Sequence, residues 1–181
     1  MVLIFEGADL AGKTTLVTHY SRALRIPIVK IRWDLIDERA ETIAFAKVTV
    51  GLLAATRAEV ILDRSFVSMW AYTPDRDGYV DPLIESLRYL PDVHLVVLTM
   101  GAAELHRRYS RAPDEYVSEE QLQAVDRRFA ELVPVFGDSL DIVHLDVSRR
   151  SAEDCRVAID GHLGVDTGLM REGKWRRRSG S

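Results

Sequence analysis

Glu6-Gly7-Ala8-Asp9-Leu10-Ala11-Gly12-Lys13-Thr14-Thr15 sets the pattern G-x-x-x-x-G-K-T between an apolar run, Val2-Leu3-Ile4-Phe5, and a helical pattern that starts with Leu16-Val17. A phosphate cradle needs that context. Glycines let the backbone curl so that successive N–H groups face one anion, and the following helix N-terminus adds its dipole. Gly7, Ala8, Ala11, Gly12, Lys13, Thr14 and Thr15 are therefore candidate donor-binding residues. In this pattern the lysine reaches the β- and γ-phosphates and the first threonine holds Mg²⁺, roles that fall to Lys13 and Thr14. The cofactors expected are ATP and Mg²⁺.

Outward from the loop, strand-like and helix-like stretches alternate. The strands expected are Val2–Phe5, Pro27–Ile31, Val60–Asp63, Val93–Thr99 and Ile142–Val147. Helices are expected from Lys13 to about Leu24, within Leu35–Ala58, Pro82–Leu90 and Ala102–Phe136, and over Ala152–Leu163. Such alternation predicts an α/β fold of three layers, a parallel sheet of about five strands flanked by helices. Val93-His94-Leu95-Val96-Val97-Leu98 is almost continuously apolar, as a strand buried on both faces should be. Ligands in such sheets gather at the carboxyl ends of the strands. Attention therefore falls on loop 7–15, Arg32-Trp33-Asp34, Asp63-Arg64-Ser65, Thr99-Met100-Gly101 and Asp146-Val147-Ser148.

The 181 residues, 47% of them hydrophobic, suit one domain with a sizeable core. A net charge of −4 argues against a surface that coats nucleic acid generally, and favours a small phosphorylated partner. The single cysteine, Cys155, excludes an intrachain disulfide, and no Cys/His cluster shows zinc-ligand spacing. The N-terminus runs straight into a strand and no apolar run approaches about 18 residues. A soluble, cytoplasmic protein is expected, host cytoplasm if the gene belongs to a phage. Composition shifts after about Val165, so residues 1–165 read as the domain and 166–181 as a basic, disordered tail. Within that tail, Arg171-Glu172-Gly173-Lys174-Trp175-Arg176-Arg177-Arg178 also fits a backbone-holding patch with one stacking ring.

Ile61-Leu62-Asp63-Arg64-Ser65 brings a carboxylate and a guanidinium to a strand terminus beside the loop. Asp63 is a candidate second metal element, and Arg64 a candidate clamp for an acceptor phosphate or the transferring group. A helix cap with a surface ion pair is the other reading of the pair.

Two motifs now stand in order. Phe5-Glu6-Gly7-Ala8-Asp9-Leu10-Ala11-Gly12-Lys13-Thr14-Thr15 resembles the F-E-G-x-D-x-x-G-K-T-T of the thymidylate kinases, and Asp63-Arg64-Ser65-Phe66-Val67-Ser68-Met69-Trp70-Ala71-Tyr72 resembles their D-R-Y-x-x-S-x-x-A-Y. The resemblance covers about residues 1–165 and implies a P-loop kinase fold with a basic lid. It implies that Asp9 contacts the 3′-hydroxyl of an acceptor sugar, that Arg64 holds the acceptor near the transferred phosphoryl, and that Tyr72 faces the acceptor. Arg32 lies where that family has the arginine of R-E-P, a monophosphate ligand. The remainder of that motif is replaced by Trp33-Asp34-Leu35, and no counterpart of the segment that reads thymine is found. Related nucleoside kinases use a glutamate after the second strand, and Asp34 is its nearest candidate here.

The lid is assigned to about residues 101–117, where Leu105-His106-Arg107-Arg108-Tyr109-Ser110-Arg111 carries three arginines. Some thymidylate kinases keep an arginine in the phosphate loop itself, where this chain has Leu10 and Ala11, so the lid is expected to supply it. Arg107 and Arg111, four apart, are expected to share a face and to serve catalysis. Asp126-Arg127-Arg128 reads as ion pairs on a solvated helix face. Asp146-Val147-Ser148-Arg149 resembles the family loop that passes the adenine, which makes Arg149 a cofactor residue, and Ser151 with Asp154 forms a capping box.

The function expected is ATP- and Mg²⁺-dependent transfer of a γ-phosphoryl group to a deoxynucleotide-type acceptor, in the manner of thymidylate kinase. A deoxynucleoside kinase, or a phage-type kinase acting on 5-hydroxymethyluracil in DNA, is the alternative chemistry. A nucleotide-binding regulator is the alternative without chemistry. Thymidylate kinases commonly pair along a helix, so the resemblance also implies a homodimer, for which Phe45–Leu53 is the candidate stretch.

Overall fold

The computed structural model describes residues 1–30, 39–72, 81–113 and 116–168. Arg32, Trp33, Asp34 and the basic tail from residue 169 lie outside the described residues.

Five parallel strands form one sheet in the order β2-β3-β1-β4-β5. They are β1 (Val2–Gly7), β2 (Ile28–Lys30), β3 (Val60–Asp63), β4 (Val93–Thr99) and β5 (Ile142–Asp146). β1 sits in the centre with all six residues buried. Its alternation divides the core: Val2 and Ile4 face one cluster, Leu3 and Phe5 the other. Leu95 and Val97 of β4 join the first cluster, Val96 and Leu98 the second.

Helices cover both faces, as a parallel sheet requires. The second cluster takes Leu16, Val17 and Tyr20 from α1 (Lys13–Leu24) and Cys155 and Ile159 from α7 (Ala152–Leu163). The first takes Ala46 from α2 (Arg39–Thr56), Val67 and Trp70 from α3 (Val67–Tyr72), and Ile84 from α4 (Asp81–Glu85), which runs on into a 3₁₀ turn at Ser86–Tyr89. α5 (Ala102–Tyr109) and α6 (Glu119–Phe136) are the helices expected between β4 and β5. α6 starts at a capping box between Ser118 and Gln121, and α7 at the expected one between Ser151 and Asp154.

Two expectations change. β2 is an exposed edge strand, with Ile28 41% and Val29 45% accessible, so its apolar residues signal no buried strand. α3 had no counterpart in the periodicity. Its first N–H, on Val67, is held by Ser65 Oγ at 3.2 Å, and a helix of six residues is too short to show a 3.6-residue period. Thr167, in the stretch assigned to the tail, packs against α7. It is 5% exposed and donates its backbone N–H to Asp160 Oδ2 at 2.8 Å.

The chain leaves β1 for β2, returns through β3 and then crosses β1 to reach β4. The carboxyl end of β1 is thus the point where the winding reverses, and the 7–15 loop emerges there.

Candidate active site

The loop turns on two glycines. Gly7 has φ 144° and a Cβ there would overlap the carbonyl oxygen of Leu98; Gly12 has φ 88°. No side chain caps α1 at Gly12, and Thr14 and Thr15 are exposed. Thr15 N–H closes onto the Gly12 carbonyl at 3.2 Å, while the amides of Lys13 and Thr14 start the helix without an i−4 partner inside it.

Lys13 folds back into this loop. Its Nζ donates to the carbonyls of Gly7 at 2.8 Å and Ala8 at 2.7 Å, and only 7% of the residue is exposed. Burial pushes its ammonium down to about 7, with the nearby Arg64 charge adding to the effect and Asp9, Glu6 and Asp63 opposing it. A polyphosphate here would add negative charge beside the ammonium and favour its protonated form. Asp63, 8% exposed, ends β3 beside Phe5 of β1. Thr14 and Asp63 thus stand at the two sides of the loop, and their oxygens suit a hard divalent cation such as Mg²⁺.

Arg64 takes the left-handed conformation, φ 70°, which is costly for a side chain of its kind. That turn aims its guanidinium back over the loop. Nη2 pairs with Asp9 Oδ1 and reaches Tyr72 Oη at 3.3 Å; Nη1 reaches the Gly7 carbonyl and Ser68 Oγ, each at 3.3 Å. Tyr72 Oη donates to Asp9 Oδ2 at 2.9 Å. Asp9, Arg64 and Tyr72, from three separate segments, form one constellation at the loop mouth. Burial works against the Asp9 charge, but Arg64 and Lys13 together with the Tyr72 hydroxyl hold its carboxyl below the ordinary range.

Beneath this layer lies Glu6, fully buried, which the sequence reading left without a role. Its Oε1 accepts from Ser65 N at 2.6 Å and Ser65 Oγ at 2.7 Å, and its Oε2 from Ser68 Oγ at 2.6 Å. Burial raises its carboxyl above the ordinary range. It ties the end of β1 to the turn that carries Arg64.

The lid arginines part company. Arg108 Nη1 donates to the Leu10 carbonyl at 2.8 Å and its Nε to Glu104 Oε1 at 2.6 Å. Arg107, 48% exposed, spends its guanidinium on Glu104, at 2.7 and 2.5 Å. Arg111 lies beyond the end of α5 and is exposed, so the helix face it was expected to share with Arg107 does not exist. Of the three lid arginines, Arg108, which was not singled out from sequence, is the one bonded to the 7–15 loop. Its helical phase carried the signal: it lies about 60° from the buried Leu105, whereas Arg107 lies about 160° away. Hydrogen bonds from Arg107 and then Arg108 hold the Glu104 carboxyl down to about 2.

Asp126 also departs from expectation, being 6% exposed rather than solvated. It accepts the backbone N–H of Met100 at 3.0 and 3.1 Å, at the carboxyl end of β4. Burial pushes its carboxyl up to about 6; the Met100 hydrogen bond and Lys13 oppose the rise, while Asp146 adds to it. Its folded value exceeds the ordinary 3.8, so keeping the charge costs stability above about pH 6, a cost relieved as pH falls toward 4. Asp126→Asn keeps an acceptor and is expected to be as stable as wild type or more so at pH 8. Asp126→Ala orphans the Met100 N–H and is expected to lose about 1–3 kcal/mol, read by urea unfolding.

Arg149 and Arg107 meet at a cleft of about 640 Å³ lined also by Gly101, Glu104, Asp146 and Ser148. Ser148 Oγ accepts the Gly101 N–H at 2.7 Å and joins the ends of β4 and β5 there. Trp70 belongs to the core, edge-on to Phe136 at 5.8 Å, while Tyr72 reaches the site.

Against solved structures, this chain is similar to the YorR protein of Bacillus subtilis in complex with phosphorylated GDP, with TM-score 0.65, 20% identity, and 88% of this chain and 92% of that chain covered. It is similar to the deoxyadenosine kinase of M. mycoides with products dCMP and dCDP bound, with TM-score 0.60, 14% identity and coverage of 89% and 98%. It is also similar to the thymidylate kinase of Candida albicans, with TM-score 0.58, 18% identity and 88% of each chain covered. The fold is that of the P-loop kinases. No family model and no curated protein sequence matches the chain. Among the described residues, no helix is long and apolar enough to cross a membrane.

Proposed function

We propose that this P-loop kinase fold transfers the γ-phosphoryl group of ATP to a free deoxynucleotide-type acceptor. The observation that carries the reading is the Asp9–Arg64–Tyr72 constellation directly over the loop that holds Lys13. A protein that only hydrolyses ATP has no use for a carboxylate held ionised beside the phosphate loop. An acceptor kinase does, because a charged carboxylate accepts strongly from a sugar hydroxyl.

In this reading Lys13 and the first amides of α1 hold the donor phosphates, while Thr14 and Asp63 hold Mg²⁺. The metal, when bound, neutralises charge on the phosphate oxygens and orients them. Arg108 reaches the loop where charge develops on the transferring group, and Arg64 restrains the acceptor oxygen near it. The cleft with Arg149 suits the donor base. No strong general base is needed, since positioning and electrostatics supply most of the acceleration in such transfers. A cytoplasmic location suits this chemistry. Val48 and Leu52 of α2, 59% and 60% exposed, favour a homodimer paired along that helix.

The role of Asp9 is tested by removing its partner. With wild type, an acceptor lacking its 3′-hydroxyl is expected to lose about 10–100-fold in kcat/KM. With Asp9→Ala the two acceptors are expected to perform alike; an undiminished preference for the hydroxyl in that variant would remove Asp9 from acceptor binding.

A further inference from the structure

At the opposite end of the sheet from the phosphate loop, three elements bring His94, Asp141 and His162 together. His94 stands at the start of β4, Asp141 just ahead of β5 and His162 in the last turn of α7. Their ligand atoms lie within 4.8 Å of one another. His94 Nδ1 is 2.5 Å from Asp141 Oδ2, and His162 Nε2 is 2.6 Å from Asp141 Oδ1. The two imidazole rings are nearly perpendicular, with centroids 6.3 Å apart. We propose that His94, Asp141 and His162 form a binding site for a divalent transition-metal ion, of which zinc is the natural occupant.

Ligand chemistry narrows the choice. Two imidazole nitrogens and a carboxylate oxygen suit zinc, cobalt or nickel, whereas Mg²⁺ and Ca²⁺ call for oxygen donors. Zinc with bonds of about 2.0–2.1 Å holds tetrahedral ligands about 3.4 Å apart. The two short N–O contacts, 2.5 and 2.6 Å, would open by about an ångström on binding. Exposure leaves the fourth position to water: the side chains are 18% accessible for His94, 44% for Asp141 and 35% for His162.

A second observation points the same way. The other ring nitrogen of His94, Nε2, lies 3.2 Å from Asp92 Oδ1. Metal-bound histidines commonly donate their second N–H to a carboxylate, which fixes the tautomer and the ring orientation. A metal ligand must be the neutral imidazole, whose one ring proton can then go to Asp92 and leave Nδ1 free to ligate. With that proton toward Asp92, the Nδ1 lone pair faces a carboxylate, and a cation between them turns repulsion into ligation. The three other histidines make no comparable cluster: His19 meets Thr167, His106 meets Glu119 and His144 meets Thr99.

The test uses the full chain, chelator-treated and free of nucleotide so that the phosphate loop offers no metal-bound ligand. Titration with zinc is expected to saturate at one ion per chain, and zinc at about a hundred times its dissociation constant is expected to raise Tm by about 5–10 °C. Cobalt in its place is expected to give the visible absorption of a four-coordinate ion. His162→Ala and Asp141→Asn should each abolish the stoichiometric site, Asp92→Asn should weaken it about 10–100-fold, and His106→Ala should leave it unchanged. Circular dichroism checks that each variant is folded, and Asp141→Asn, isosteric and partly exposed, serves should the histidine variant unfold. Failure of wild type to retain zinc, or retention unaltered in both ligand variants, overturns the proposal.

Discussion

Lys13→Met is expected to abolish phosphoryl transfer while leaving the ligand-free fold as stable as wild type or more stable. The loss follows from position: the ammonium is the only lysine charge within the loop and would contact the transferring phosphate, so transfer should fall by at least about 10²–10³-fold. The stability gain follows from burial. Lys13 is 7% exposed and, among the described residues, hydrogen-bonded to two backbone carbonyls, with its ammonium pushed down to about 7. The unfolded chain keeps this group protonated up to about 10.5, so between about pH 7 and 10.5 the unfolded state binds more protons and wild-type stability rises with pH. The penalty is full below about pH 7. The variant has no such group, so its advantage should be greatest at or below pH 7 and shrink as pH rises toward 10. A gain of about 1–2 kcal/mol would lift Tm by about 2–8 °C. Scanning calorimetry across pH reads both sign and slope; a variant less stable than wild type at pH 7, with the gap widening at lower pH, would contradict the burial argument.

Arg108→Ala is expected to cost about 10³–10⁵-fold in kcat, whereas Arg107→Ala and Arg111→Ala should each cost less than about tenfold. The geometry separates them. Arg108 spans from Glu104 to the Leu10 carbonyl, so its guanidinium already lies on the loop that would hold the donor. Arg107 is turned to Glu104, and Arg111 follows the helix end. Glu104 therefore acts as a positioning residue for Arg108, and Glu104→Ala should lower kcat by less than the arginine variant while leaving KM for ATP nearly unchanged. Steady-state kinetics on the four variants decides it; equal losses for Arg107 and Arg108 would mean that the lid rearranges on binding.

Much of this was legible in the sequence. The loop and the parallel sheet follow from a motif flanked by apolar runs; β1, β3 and most of β4 read as strands because burial on two faces leaves little room for polar residues, while the exposed β2 and the alternating β5 were found from their place in the βαβ order. The Asp9, Arg64 and Tyr72 cluster was foreshadowed only by the family resemblance, since no local pattern tells that three segments converge. Other features depend on tertiary partners. Asp126 sits among arginines along the chain, which suggests a solvated face, yet its partner is the Met100 amide from β4. Glu6 looks like a loop residue, but the turn at Arg64 brings Ser65 and Ser68 onto it. Arg108 differs from Arg107 only in helical phase relative to Leu105, a distinction that pair counting along the chain passes over. The His94–Asp141–His162 cluster is invisible to spacing rules because its members lie 47 and 21 residues apart.

The most direct test of the account is transfer of label from γ-labelled ATP, with Mg²⁺, across a panel of deoxynucleosides, deoxynucleoside monophosphates and hydroxymethyluracil-containing DNA. The account predicts label on a free deoxynucleotide-type acceptor, lost in Arg108→Ala and made indifferent to the 3′-hydroxyl in Asp9→Ala. Label on the DNA alone, or ATP hydrolysed with no acceptor labelled, would contradict it.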